Sequence, residues 1–269
     1  MDATHPFAAA TAVRSLDAAR FATAVADGWD IAGNANGGYL IALALRSVLA
    51  ATGRPDVVTA TAHYLAPGKP GPAVVAVDVL RTGRRFSTAS ARLESGGRPV
   101  IALLATVGEV PAPEDAEPPL LLSGGPPDLP SPERCVARSM GTVEGGFADQ
   151  VEIRLHPDDA GFVEGRPSGR AEMRGWFRLR EDEPMDTVAL ALACDSLPPA
   201  VFGAELPVGW VPTVELTCHV RARPAPGWLA CRFATRFATG GTLEEDGEIW
   251  DSTGRLVAQS RQLALAPRG

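Results

Sequence analysis

Three polar residues in the second half of the chain have the types and settings needed to hold and activate a water. Asp195 follows an apolar run, residues 188–194, that reads as a helix. A carboxylate late in such a helix meets both burial and the negative helix end, so its pKa should be raised towards that of a useful base unless Thr213 or Gln262 donates to it. Gln262 falls in the last strand candidate, 255–265, on one face with Leu256, Ala258 and Ala264. That face is the inward one, so its amide could hold a water against the carboxylate. Thr213 opens the strand candidate 213–221, and its hydroxyl could donate to the carboxylate or the water. Strict alternation there groups Thr213 with Glu215, Thr217 and His219, opposite Val214, Leu216, Cys218 and Val220, which conflicts with an inward role.

The elements that must position these residues occur twice. Shifted by 156, His63 falls on His219 and Gly71 on Gly227; shifted by 157, Gly83 falls on Gly240 and Gly97-Arg98 on Gly254-Arg255. Ordered landmarks at nearly constant spacing indicate a duplicated unit. Val57 and Ala105 stand in the first copy where Thr213 and Gln262 stand in the second, so one copy is equipped for chemistry and the other supports it. The first half has an extended stretch at 21–29, a glycine-rich loop at 33–38, an apolar helix at 39–51 and strand candidates at 57–65, 73–81, 86–94 and 99–107. The second half has strands near 150–155 and 170–179, then a helix from about Met185 that Asp186 could cap and Pro198-Pro199 ends. Strands at 213–221, 229–238, 242–250 and 255–265 follow. The expected boundaries are 1–110 and 141–269, joined by a proline-rich linker at 111–140 in which Leu120, Leu121 and Leu122 pin the chain to a domain surface.

The chain has 269 residues, 45% of them hydrophobic, and a formal net charge of −7, which disfavours nucleic acid as a partner. No membrane span and no secretory signal are expected, and the reading is of a cytoplasmic protein. Cys135, Cys194, Cys218 and Cys231 sit within apolar runs as reduced small hydrophobes, and the four histidines are too scattered for a metal cluster. No metal or cofactor is expected, and no G-x-S-x-G elbow for a serine nucleophile is present.

Three second-half segments, Ala193-Cys194-Asp195-Ser196-Leu197-Pro198, Val211-Pro212-Thr213-Val214-Glu215, and Gly254-Arg255-Leu256-Val257-Ala258-Gln259-Ser260-Arg261-Gln262, resemble those that hold Asp, Thr and Gln in type II acyl-CoA thioesterases. Asn36-Gly37-Gly38-Tyr39 is similar to the glycine pair opening that family's first helix, and residues 80–87 to its second hairpin. The resemblance covers about 20–110 and 140–266. It implies an α+β double hotdog, two antiparallel sheets each wrapped around a long central helix, with Asp195, Thr213 and Gln262 orienting one nucleophilic water. It implies an acyl-CoA substrate and a homodimer or homotetramer.

Under this resemblance Gly37 and Gly38 could offer bare N–H groups to the thioester oxygen. Arg84 and Arg85, with Arg81, could meet coenzyme A phosphates. His63 and His219, at matching positions, read as structural. A hotdog dehydratase would want an Asp-His pair at a helix start, and neither helix carries a His. Another reading keeps the fold as an acyl-CoA binding protein without turnover, or as a hotdog enzyme acting on another acyl thioester.

Overall fold

The computed structural model describes residues 5–115, 124–138, 146–206 and 208–267. Leu120, Leu121 and Leu122 lie outside the described residues. The first half supplies β1 (Arg20–Val25), α1 (Gly37–Thr52), β2 (Asp56–Tyr64), β3 (Gly71–Thr82), β4 (Ser87–Ser95) and β5 (Arg98–Gly108). The second supplies β6 (Val151–Leu155), β7 (Glu172–Leu179), α2 (Thr187–Ala193), β8 (Thr213–Val220), β9 (Leu229–Ala234), β10 (Thr242–Trp250) and β11 (Leu256–Leu265).

Among the described residues one sheet of 14 strands runs through both halves. Its main strands are ordered β1-β3-β4-β5-β2-β8-β11-β10-β9-β7-β6, with the two-residue strands Arg14–Ser15 and Val136–Ala137 at the ends. The two expected sheets are thus joined edge to edge by β2 and β8. In that antiparallel pair Thr61 faces Thr217, and their hydroxyls are 2.9 Å apart. These two residues are 156 apart in sequence, so the offset read from the repeat places a pseudo-twofold axis between them.

The sheet curls around two helices. Helix α1 is apolar nearly all round and correspondingly buried from Gly38 to Leu45. Asn36 caps its N-terminus by accepting the Tyr39 N–H at 2.9 Å, and Gly53 ends it in the left-handed conformation at φ 64°. Helix α2 is shorter, with 7 residues, and Asp186 caps it by accepting the Val188 and Ala189 N–H groups. The helices run side by side in opposite directions. Gly38 abuts Leu192 at one end, and Arg46 pairs with Asp186 at the other. An added Cβ on Gly38 would lie 3.0 Å from both the Cα and the O of Leu192, so glycine permits this approach. All four cysteines are buried, and no helix among the described residues is long and apolar enough to cross a membrane.

Candidate active site

Asp195 sits in the turn just beyond α2, where its N–H bonds to the Leu192 carbonyl at 3.0 Å. Its carboxylate faces the N-terminus of α1. The Gly38 N–H donates to Oδ2 at 2.9 Å and the Asn36 Nδ2 donates to the same oxygen at 3.1 Å. Asn36 also donates to the Asp195 carbonyl at 2.9 Å. One asparagine therefore caps the first-half helix and fixes the second-half carboxylate. Burial pushes the Asp195 carboxyl from 3.8 up to about 6, while the N–H groups of Gly38 and Gly37 and the Asn36 amide pull it down. The side chain keeps some open surface, and it lines a cavity. The raised proton affinity follows the sequence expectation, but the opposing donors come from the first half and not from Thr213 or Gln262.

Gly37 and Gly38 were expected to offer bare N–H groups to a substrate oxygen. In this structure the Gly38 N–H is engaged by Asp195, and the Gly37 N–H lies close enough to favour the charge of that carboxylate, because the positive end of α1 meets the nearest anion. The glycines instead allow close approach: a Cβ on Gly37 would lie 2.7 Å from the Tyr64 hydroxyl and 2.9 Å from Asp195 Oδ2.

A bulge resolves the conflict over Thr213. Thr213 pairs with Ala264, but the next register positions are Glu215 with Leu263 and Leu216 with Gln262, so Val214 is an extra residue. The bulge shifts the alternation by one, turning Thr213 to the same side as Leu216 and Cys218 and leaving Val214 exposed. The Thr213 hydroxyl donates to Gln262 Oε1 at 3.0 Å. Gln262 Nε2 donates to Glu245 Oε1 at 2.9 Å, and Glu245 Oε2 accepts the Ala200 N–H at 2.5 Å. Gln262 and Glu245 are both buried. Burial raises the Glu245 carboxyl from 4.5 to about 7, against the Ala200 N–H and with the nearby Asp195 charge adding to the rise.

A cavity of about 620 Å³ gathers the two groups. Asn36, Asp195, Thr213, Glu245 and Gln262 all line it, together with Tyr64 and apolar walls that include Leu40, Phe162, Phe202 and Trp210. Among the described residues no hydrogen bond joins Asp195 to Thr213 or Gln262; they meet across this space. Such an arrangement can seat a neutral, largely apolar group against one raised carboxylate and an oriented amide, which suits activation of a water.

The structure does not bring the arginines to this place. Arg84 and Arg85 stand on the exposed turn between β3 and β4, where Arg54 holds the Gly83 and Arg84 carbonyls and Arg85 lies over the Phe86 ring. His63 and His219 flank the β2–β8 seam, with His219 Nδ1 3.0 Å from the Thr59 hydroxyl, and neither lines the cavity. Three cavity residues had no role in the sequence reading. Asn36 was visible as a cap signal, Tyr64 as the end of a strand, and Glu245 was hidden among acidic neighbours.

The first half carries the same frame without the polar side chains. A bulge between Val57 and Thr59 matches the one between Thr213 and Glu215 at the 156-residue offset. There the counterparts of Thr213, Gln262 and Glu245 are the buried apolar residues Val57, Ala105 and Ala89, the last two facing each other as Glu245 and Gln262 do.

Residues 25–108 match a family model described as an acyl-CoA thioesterase N-terminal domain, and residues 113–266 one described as an acyl-CoA thioesterase C-terminal domain. An uncharacterized protein of Mycobacterium tuberculosis strain H37Rv is 30% identical to the chain, over 89% of it and 88% of that protein. Among solved structures, a candidate thioesterase II from Thermobifida fusca YX superposes with a TM-score of 0.88 and 32% identity, covering 100% of both chains. A protein of unknown function with a hot dog fold from Alicyclobacillus acidocaldarius gives a TM-score of 0.85 at 24% identity, over 99% of this chain and 100% of that one.

Proposed function

Because the chain belongs to the acyl-CoA thioesterase family, a family of thioester hydrolases, we propose that it hydrolyses an acyl-CoA to the free acid and coenzyme A at the cavity between its two halves. The observation that carries this reading is the Asp195 carboxylate, fixed by the α1 N-terminus and facing a cavity shared with Gln262 and Thr213. Asn36 and Gly38 both bind Oδ2, so Oδ1 is the oxygen assigned to the water. Gln262 holds that water from the opposite wall, with its amide oriented by Thr213 on one side and Glu245 on the other.

Asp195 takes a proton from the water as its oxygen adds to the thioester carbonyl carbon. Collapse of the tetrahedral species breaks the C–S bond, and the proton passes to the leaving sulfur or to solvent. No covalent enzyme intermediate is needed. The apolar walls, with Phe162, Phe202 and Leu40, suit a hydrophobic acyl group, and the exposed Trp210 and Val208 give the mouth an apolar lip. Arg84 and Arg85 have no part in this reading.

The test follows coenzyme A release with a thiol reagent over short, medium, long and aromatic acyl-CoAs, with D195N in parallel after its fold is confirmed. Turnover falling at least ~100-fold in D195N is expected, the scale of a catalytic acid–base group. Turnover that survives the change would move the chemistry away from Asp195.

A further inference from the structure

With the Gly38 N–H held by Asp195 and the Gly37 N–H close enough to favour the same carboxylate, we look for a donor to the thioester oxygen elsewhere in the cavity. The cavity supplies one. The Tyr64 hydroxyl is buried and has no hydrogen-bond partner. Among the described residues two other buried side-chain polar atoms share that condition, on Thr235 and Trp250, and neither lines the cavity. Tyr64 ends β2 and does line it. A Cβ built on Gly37 would lie 2.7 Å from the Tyr64 hydroxyl and 2.9 Å from Asp195 Oδ2, so the phenol and the carboxylate both stand against Gly37 on the same wall of the cavity. Two neighbouring side-chain donors have partners: Asn36 bonds to Asp195, and Thr213 to Gln262. A buried hydroxyl without a partner is costly to the fold, and one that faces a cavity is explained by a ligand that uses it.

We propose that the Tyr64 hydroxyl donates to the carbonyl oxygen of the bound thioester and to the oxyanion formed when water adds to it. This rests on the reading of the cavity as a thioester site. Burial and the neighbouring Asp195 charge raise the phenol well above its ordinary pKa, which keeps it a donor. The phenol does not transfer its proton; it stabilises charge that develops on the oxygen, an effect strongest in a site that excludes water.

The test uses the whole chain, Y64F, and two unreactive coenzyme A analogues of one chain length. One is a ketone, with CH2 in place of sulfur and the carbonyl kept; the other is a thioether lacking the carbonyl. Wild type should bind the ketone more tightly than the thioether. Y64F should lose ~10-fold on the ketone and less than ~2-fold on the thioether, and its kcat should fall ~100-fold with KM within ~3-fold, as expected for removal of one oxyanion donor. Equal binding of the two analogues by wild type, equal losses on both in Y64F, or an unchanged kcat would overturn the proposal. If wild type turns over no acyl-CoA, the hydrolase reading fails by itself, and the ketone–thioether difference still decides the role of Tyr64. Phenylalanine removes only the unpartnered oxygen, so the fold should persist, which thermal melting checks.

Discussion

Two carboxyl groups on one cavity, Glu245 buried and Asp195 partly so, are separated by their partners. Asp195 is held by N–H donors at a helix N-terminus, which favour its charge, and it stays the more acidic at about 6. Glu245 has one backbone N–H and one amide, and its proton affinity rises to about 7. The proposed hydrolysis needs Asp195 ionised, so kcat/KM should fall as pH drops through about 6, and a pH–rate profile reads this directly. The stability dependence has the opposite sense. A carboxyl whose folded pKa lies above its unfolded value makes the native state bind more protons, so its stabilisation is full below the unfolded value and is lost as pH rises through the folded one. For Glu245 that window runs from 4.5 to about 7. Wild type should therefore lose stability between pH 5 and pH 8, and E245Q should remove about 2 kcal/mol of that loss in urea titrations. An equal slope in both proteins would show that Glu245 is not held in its protonated form. This residue was unreadable in the sequence for a clear reason. Glu244-Glu245-Asp246 looks like a solvated acidic run, yet Glu245 falls on the inward alternation with Leu243, Gly247 and Ile249. Asp195 was legible because it stands alone at the end of an apolar helix.

Strands and helices were visible in outline, since alternation and all-round apolarity record which surfaces are buried. The bulge at Val214 was not, because an inserted residue reverses the alternation without leaving a residue type that marks it. Only pairing with β11 shows that Thr213 turns inward. The start of α2 was legible: Asp186 caps it as its residue type suggests, and Met185 just before it packs against the core. Contacts between elements were silent. Gly38 could be read as a loop or helix-start glycine, whereas its place against the Leu192 backbone fixes how closely the two helices approach. Replacing a helical glycine by alanine ordinarily stabilises by about 0.5–1 kcal/mol. Here the sign should reverse: G38A should cost about 1–3 kcal/mol through overpacking, and it should lower kcat because the Gly38 N–H moves away from Asp195. Thermal melting and coenzyme A release check the two parts. A more stable, fully active G38A would mean that the helix contact does not position the carboxylate.

At the scale of the whole molecule, duplication explains why the copy that carries Asp195 needs the other one. The pseudo-twofold axis at Thr61 and Thr217 makes one sheet of two, and it sets α1 and α2 antiparallel, so that the α1 N-terminus meets the end of α2 and the α2 N-terminus meets α1 at Arg46. At one end that meeting joins Asn36 and Gly38 to Asp195; at the other it joins Asp186 to Arg46. The second end has kept the frame but filled it with Val57, Ala89 and Ala105. Further ties cross between the halves: Arg223 is bonded to Asp56, the Val57 N–H to the Thr187 hydroxyl, and Glu183 to the Phe7 and Ala8 N–H groups. A half released alone would expose the β2 or β8 edge and the inner faces of its helix, leaving buried apolar surface and polar groups uncovered together. Unfolding should accordingly be one cooperative event despite the proline-rich connection, with calorimetric and van't Hoff enthalpies agreeing. D195N should lower or raise the midpoint of that single transition without splitting it. Two resolved transitions, each assignable to one half, would mean that the halves are independent domains and that the shared cavity forms only when they dock.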